Sequence, residues 1–256
     1  TNYILSRMYE NGEDYEAVLH DAQQLGLAEP NPSADVEGLD AAYKLSIMAS
    51  LAFHARVPFS KVYREGITKI TAVDIAYARE MAIAKRSGNT IEVRVHPTLI
   101  ANDHPLSQVN GSFNAVYLHG HACKEMMLQG RGAGDLPTAS AVVGDILHAA
   151  TVDVHVHPTF VNSANADASL VFTNDWKTRY FLRLSIQDEP GSLAKIATWL
   201  SSEQVSIATM MQKAELAGSR VPLIIITHEA NEQAIRAALA KFDPEVCTVE
   251  NMIRVE

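Results

Sequence analysis

Apolar positions in the first part of the chain recur at the three- and four-residue spacing of helices. Residues 2–27 predict two helices, and residues 35–56 continue the pattern as one long helix whose second half is apolar nearly all round. Because a helix that is apolar on every side is usually buried, we expect this helix to lie in the core. Residues 69–85 predict a further helix, with Ile70 and Ile75 in its first half.

The pattern changes to alternation after residue 90. Residues 91–96 alternate apolar and polar side chains, as a half-buried strand does. Residues 114–118 and 124–129 predict two more strands joined by a turn, and a helix begins near Thr138. Residues 151–177 show no sustained periodicity and contain a cluster of Asn, Ser, Ala and Asp, which is typical of a linker.

The C-terminal part of the chain has its own pattern. It predicts, in order, a strand at 180–186, a helix at 193–200, strands at 205–212 and 221–227, a helix at 234–242 and a strand at 247–255. This order is the ferredoxin-like topology. We therefore predict an α+β protein with helices packed on a mixed sheet at 1–150, a linker at 151–177 and a ferredoxin-like βαββαβ unit at 178–256.

Composition narrows the range of partners. Of the 256 residues, 47% are hydrophobic and 20% are charged, and the formal net charge is −9. A nucleic-acid partner needs a basic face, and no apolar run approaches the roughly 18–20 residues that cross a bilayer. We therefore expect neither nucleic acid nor membrane as a partner. Cys123 and Cys247 form no local motif, which favours a reducing, cytoplasmic location.

One charged pair stands at the start of the long apolar helix. Asp40 and Lys44 are four residues apart, so their side chains lie one above the other. Their stripe continues at about 100° per residue through Ile47 and Leu51. We expect the pair to point inward, at a cavity. The alternative is a surface salt bridge, because ion pairs at this spacing are common.

The residues around this pair carry a family resemblance. The string E-P-N-P-S-A-D-V-E-G-L-D-A-A-Y-K-L at 29–45 closely resembles the substrate-site signature of homoserine dehydrogenases. By that resemblance Glu29 and Asp40 hold the amino-acid substrate, and Asp35 is a further substrate-binding candidate. The resemblance also implies that Lys44 is the acid–base catalyst, with Asp40 beside it. The resemblance implies an oxidoreductase that interconverts L-homoserine and L-aspartate 4-semialdehyde with NADP or NAD, in threonine and methionine biosynthesis.

Three glycines, Gly130, Gly132 and Gly134, lie between a predicted strand and the helix near Thr138. Such glycines allow a ligand to approach the backbone, and a helix N-terminus favours an anion, although tight turn geometry alone also explains them. The string G-R-G-A-G-D-L-P-T-A-S-A-V resembles the glycine loop of homoserine dehydrogenases, which closes over the nicotinamide end of the cofactor cleft. The resemblance makes the three glycines candidate cofactor contacts.

We expect a nucleotide-binding half outside this sequence. The chain starts T-N-Y-I-L without an initiator Met, and residues 1–60 contain no G-x-G-x-x-G turn between a strand and a helix. In homoserine dehydrogenases a similar N-Y-I-L segment follows the nucleotide-binding domain. The resemblance therefore implies that an N-terminal Rossmann domain binds most of the NADP or NAD.

Residues 188–200, D-E-P-G-S-L-A-K-I-A-T-W-L, resemble the opening of ACT domains, which bind amino acids and control enzymes of amino-acid synthesis. The amides of this turn can receive a ligand carboxylate, with Asp188, Gly191 and Ser192 as the candidates. The alternative is a connecting turn in which Asp188 or Ser192 caps the helix. The resemblance implies L-threonine as an effector and assembly as a homodimer or homotetramer.

Three interpretations of the function remain open. The first is homoserine dehydrogenase activity, and the second is a catalytically inactive module that binds an amino acid and supports assembly. The third is the C-terminal domain of another oxidoreductase. We expect no metal site, because the pairs His119–His121 and His155–His157 have no third ligand at a recognisable spacing.

Overall fold

The structure is a computed structural model of the chain. It describes residues 2–28, 30–71, 74, 78–132, 134–152, 169–212 and 220–256, with the side chains of 78–80 left out. The chain folds into two compact units. Unit 1 contains Thr1–His96 and Ile100–Phe172, and unit 2 contains Pro97–Leu99 and Thr173–Glu256.

Unit 1 begins with helices. These are α1 (Asn2–Asn11), α2 (Tyr15–Gln24), α3 (Ser33–Val36), α4 (Leu39–Phe53) and, later in the chain, α5 (Asp135–Thr151). Two helices over 2–27 are confirmed. Their inward faces carry the fully buried Ile4, Leu5 and Val18, which follow the helical spacing.

The strands that begin in unit 1 belong to two sheets. They are β1 (Tyr63–Arg64), β2 (Ala78–Ser87), β3 (Thr90–Leu99), β4 (Phe113–Gly120), β5 (Lys124–Arg131) and β6 (Val171–Thr173). β1 pairs with β3 in parallel, and β2 also pairs with β3. β4 and β5 form a separate antiparallel hairpin. The strands predicted at 91–96, 114–118 and 124–129 are confirmed.

The helix predicted over 69–85 is wrong where the structure describes it. Residues 78–85 belong to strand β2, which pairs with β3, and Ile75 lies outside the described residues. A two-residue turn, Gly88–Asn89, connects the two strands, and Gly88 has a φ of 59°. Gly-Asn between two strands is a hairpin signal, and pairing with the neighbouring strand outweighed the helical propensity of Met81–Lys85.

The long helix predicted at 35–56 is confirmed over 39–53, as α4, but it is interrupted near its start. Gly38 takes a left-handed conformation with a φ of 72° between α3 and α4. Gly66 packs against this junction, where an added Cβ would lie 2.3 Å from the carbonyl oxygen of Val36. The amide of Ile67 donates to the same oxygen at 2.8 Å. Close backbone contact therefore sets the point at which α4 begins.

Unit 2 contains β7 (Lys177–Gln187), α6 (Ser192–Ser202), β8 (Ile207–Gln212), β9 (Arg220–Thr227), β10 (Ala230–Asn231), α7 (Glu232–Leu239) and β11 (Cys247–Val255). Its strands lie in the order β11-β7-β9-β8, and each neighbouring pair is antiparallel. The end of β3, which belongs to this unit, pairs with β11 in parallel. The chain is thus a mixed α and β protein with parallel and antiparallel pairing.

Alternation on the strands builds the core of unit 2. Leu182, Leu184 and Ile186 of β7 lie on one face of the strand, and each is at most 1% exposed. They pack with the inward residues of α6, such as Ile196 and Leu200. This is the pattern that the sequence predicted for both elements.

The segment predicted as a linker, 151–177, is only partly described. Residues 153–168 lie outside the described part of the chain. Within the remainder, residues 171–173 form β6, and the amide of Val171 donates to the carbonyl of Asn89 at 2.9 Å. The chain passes from unit 1 to unit 2 for the last time between Phe172 and Thr173.

Candidate active site

The charged pair at the start of α4 is formed, but it does not point into the interior. Lys44 Nζ lies 2.6 Å from Asp40 Oδ2, and the two side chains are 59% and 50% exposed. The expectation that the pair faces a buried cavity is therefore wrong for the described structure. The geometry is that of an i,i+4 ion pair on an accessible helix face.

The packing of α4 explains this orientation. Ala42, Leu45 and Ala49 belong to the hydrophobic core of unit 1, whereas Tyr43 and Ile47 are more than half exposed. Since residues three or four apart share a face, Asp40, Lys44 and Ile47 lie on the side of α4 that faces away from this core. That face combines a carboxylate, an amine and apolar side chains. It can bind a ligand ammonium and exchange a proton.

An aromatic stack beside the pair was not predicted from the sequence. The rings of Tyr43 and Phe59 are stacked, with centroids 4.2 Å apart and planes at 14°. The guanidinium carbon of Arg64 lies 5.7 Å from the centroid of Phe59. No local sequence pattern joins these residues, because the stack depends on the turn that brings Phe59 back to α4. The stack fixes the helix next to Lys44.

The other predicted substrate residues are less informative. Glu29 lies outside the described residues. Asp35 is half-buried in α3, next to the buried Val36. The turn before α3 is held by the side chain of Asn31, whose Oδ1 accepts from the amide of Ser33 at 3.3 Å. Asp40 is in direct contact with Lys44.

The three glycines before α5 have three different environments. A Cβ at Gly130 would have no heavy atom within 4 Å. A Cβ at Gly132 would lie 1.5 Å from Nδ2 of Asn114, and Gly134 has a φ of 122° that side chains rarely adopt. The backbone at Gly130 is thus open to a ligand, and the backbone conformation already favours a glycine at Gly134. At Gly132 the exposed side chain of Asn114 occupies the place of a Cβ and would have to move for a larger residue.

The turn before α6 is a second candidate site, in unit 2. Gly191 is the N-cap of α6, with a φ of 97°, and no side chain caps the helix. Capping by Asp188 or Ser192 is therefore wrong; the amide of Gln212 lies 3.4 Å from Asp188 Oδ1. A surface cavity of about 480 Å³ adjoins this turn, lined by residues that include Glu189, Ser192 and Lys195.

The described residues contain neither a metal-binding cluster nor a membrane-spanning helix. No group of three or more His, Cys, Asp or Glu side chains in them is arranged to hold a metal ion. His119 and His121 lie at the exposed end of the β4–β5 hairpin, and His155 and His157 lie outside the described part. No helix among the described segments is long and apolar enough to span a membrane.

Comparison with known proteins gives a consistent result. The family model of homoserine dehydrogenase matches residues 1–147. The homoserine dehydrogenase of Pseudomonas aeruginosa is 41% identical over 256 residues, covering 94% of this chain and 59% of that protein. That of Corynebacterium glutamicum is 40% identical, covering 100% of this chain and 60% of its own length.

A solved structure agrees with these sequence matches. The crystal structure of a homoserine dehydrogenase from Thiobacillus denitrificans superimposes with a TM-score of 0.86 at 38% identity, covering 100% of this chain and 61% of its own. The chain therefore belongs to the homoserine dehydrogenase family. It spans about 60% of the length of the curated relatives it matches.

Proposed function

We propose that the protein is a homoserine dehydrogenase, which interconverts L-homoserine and L-aspartate 4-semialdehyde with NADP or NAD. The observation that carries the proposal is the Asp40–Lys44 pair on an accessible face of α4, within the part of the chain that the family model matches. Family membership supports the reaction, and the pair supplies the groups that the reaction needs from this chain.

Lys44 exchanges the proton of the substrate. In the oxidation direction its amine takes the proton from the carbinol hydroxyl, and in reduction its ammonium returns it. Asp40 Oδ2 lies 2.6 Å from the Lys44 amine and holds it in position.

Carboxylates bind the amino group of the substrate. Glu29, Asp35 and Asp40 lie within a twelve-residue segment and offer negative acceptors to the ammonium of homoserine. Exposure of Asp40 leaves an oxygen accessible to such a ligand while the other oxygen contacts Lys44. This arrangement explains why the acid–base lysine and the substrate-binding carboxylate stand one helical turn apart.

The glycine turn fits the cofactor in part. Gly130 leaves room for a ligand against the backbone, and α5 starts at Asp135 with no side-chain cap on its first amides. Gly130, Gly132 and Gly134 are proposed to hold the nicotinamide end of NADP or NAD. When bound, the nicotinamide accepts or donates the hydride. The contribution of this chain is to orient it and to keep the turn in place.

The proposal is tested by assaying the protein in its complete natural form for homoserine-dependent reduction of NADP⁺ or NAD⁺. Lys44→Ala is expected to lower kcat by about 10²–10⁴, the usual contribution of a general acid–base group. The matched control is Lys177→Ala, which breaks an ion pair with Glu229 of similar exposure in unit 2. Full turnover by Lys44→Ala would refute its assignment, and an inactive wild type would refute the function.

A regulatory role is proposed for the second unit. Its βαββαβ order of elements and its strand order support a ferredoxin-like ACT domain at 178–256. A linker at 151–177 and a catalytic domain at 1–150 are proposed to precede it. Asp188, Gly191 and Ser192 are the proposed contacts for L-threonine. Of these three residues, Ser192 lines the surface cavity that adjoins the turn.

Calorimetric titration with L-threonine tests the regulatory role. Binding in a wild type that lacks turnover would favour the alternative function, an amino-acid-binding module without catalysis. A titration with no heat, together with unchanged assembly, would count against threonine control.

We also propose that the protein forms a homodimer or homotetramer in the cytoplasm. The free thiols of Cys123 and Cys247 are consistent with a reducing location.

A further inference from the structure

The N-terminal end of α1 is tied to the loop that precedes β4. The side-chain amide of Asn2 lies within hydrogen-bond distance of three carbonyl oxygens, those of Val109, Gly111 and Phe113, at 3.2, 3.3 and 2.9 Å. One turn further along α1, Ser6 Oγ accepts from the amide of Gly111 at 3.1 Å. Two side chains of α1 therefore hold the loop 109–113, which ends at the first residue of β4, at three of its five residues.

The same loop holds the glycine turn. The amide of Gly132 donates to the carbonyl of Ser112 at 3.2 Å, and Arg131 donates to the hydroxyl of Ser112 at 3.1 Å. Asn114 stands opposite Gly130 in the β4–β5 register, and its side chain fills the space beside Gly132. The turn is thus fixed on one side by hydrogen bonds to the loop and on the other by contact with Asn114.

We propose that Asn2 and Asn114 are positioning residues for the glycine turn. Asn2 acts through the loop 109–113, and Asn114 acts through its contact with Gly132. The proposal rests on the proposed function, which assigns the glycine turn to the cofactor. It gives the glycines different roles, because the side chain of Asn114 occupies the place of a Cβ at Gly132, whereas the backbone at Gly130 is open.

The first experiment measures hydrogen exchange and kinetics on the complete protein carrying Asn2→Ala. Peptides covering 128–132 are expected to exchange faster, since the hydrogen bond of Gly132 loses its support. The KM for the dinucleotide is expected to rise about fivefold, the equilibrium equivalent of one hydrogen bond, with the KM for homoserine nearly unchanged. Asn11→Ala is the matched control, because Asn11 is on α1 too but its amide contacts Glu13.

The outcomes distinguish failure of the positioning role of Asn2 from failure of the proposed dehydrogenase function. Unchanged exchange at 128–132 would overturn the proposal that Asn2 supports the glycine turn, whether or not the wild type turns over homoserine. Faster exchange with an unchanged dinucleotide KM, in an active enzyme, would overturn the positioning role alone. If Asn2→Ala does not fold, the milder Ser6→Ala, which removes one hydrogen bond to the same loop, is measured in the same way.

A pair of variants tests the second half of the proposal. Gly132→Ala places a Cβ against Asn114 and is expected to raise the dinucleotide KM. Adding Asn114→Ala removes the two nearest atoms, so that the Cβ atoms of residues 114 and 132 lie 3.3 Å apart. The dinucleotide KM of the double variant is expected to return most of the way to the wild-type value. If the double variant is no better than Gly132→Ala, ligand approach and not Asn114 requires the glycine, and this half is wrong.

Discussion

The most stringent test of the physical reasoning concerns the buried carboxylate of Glu232. It is 2% exposed, and it accepts hydrogen bonds from Arg254 at 2.5 Å and from the hydroxyl of Tyr180 at 2.9 Å. Arg236, one turn along α7, lies 2.8 Å away. Arg254 is 1% exposed, so removing Glu232 leaves its guanidinium buried without this carboxylate. Breaking a buried pair in this way costs about 3–5 kcal/mol of unfolding free energy.

The two tryptophans make the measurement specific. Trp176 and Trp199 are the two in the sequence, and both lie in unit 2. Urea unfolding followed by tryptophan fluorescence therefore reports the unit that contains Glu232. With a urea dependence of about 1–3 kcal/mol per molar, Glu232→Ala is expected to lower the midpoint by at least about 1 M.

A surface pair serves as the control. Glu229 contacts Lys177 at 3.6 Å, and both side chains are more than 60% exposed, so Glu229→Ala should change stability by less than about 1 kcal/mol. Replacing both Glu232 and Arg254 with leucine should recover part of the loss, because no unpaired charge is then buried. Equal midpoints for Glu232→Ala and Glu229→Ala would refute the reasoning.

Two further predictions concern ionisation. The pKa of Glu232 is lowered overall. Burial is the largest single influence and acts to raise it, but three neighbours together outweigh burial: Arg254 through a hydrogen bond and its charge, Arg236 through its charge, and Tyr180 through its hydroxyl. The contribution of Glu232 to stability is therefore present above the ordinary glutamate pKa of about 4.3 and lost as pH falls through the folded value. Urea midpoints should drop in that acid range, and they should drop less in Glu232→Gln. Burial raises the pKa of the Cys247 thiol to about 11, whereas Cys123 is exposed. A disulfide reagent at neutral pH should therefore modify Cys123 but not Cys247, and rapid reaction of both would contradict this.

Local sequence patterns were enough to predict much of the fold. In unit 2 the period changes from two to 3.6 and back within short segments, so β7, α6 and β11 were placed close to their observed bounds. The spacing of Asp40 and Lys44 was likewise sufficient to predict their contact, because residues four apart on any helix are neighbours.

Tertiary contacts decided the rest. Whether Asp40 and Lys44 face the core depends on which side of α4 packs on Val57 and Val62, and periodicity cannot choose a side when apolar residues occur all round. Residues 78–85 are helix formers by composition, yet pairing with β3 makes them a strand.

The role of each glycine shows the same division. The sequence by itself determined that a glycine-rich turn joins a strand to a helix, because glycine spacing is a local property. Only the folded chain shows that Asn114, sixteen residues upstream of Gly130 and opposite it in the hairpin, fills the space beside Gly132. Contacts between distant residues require the backbone to be in place, and the pattern within one segment does not contain them.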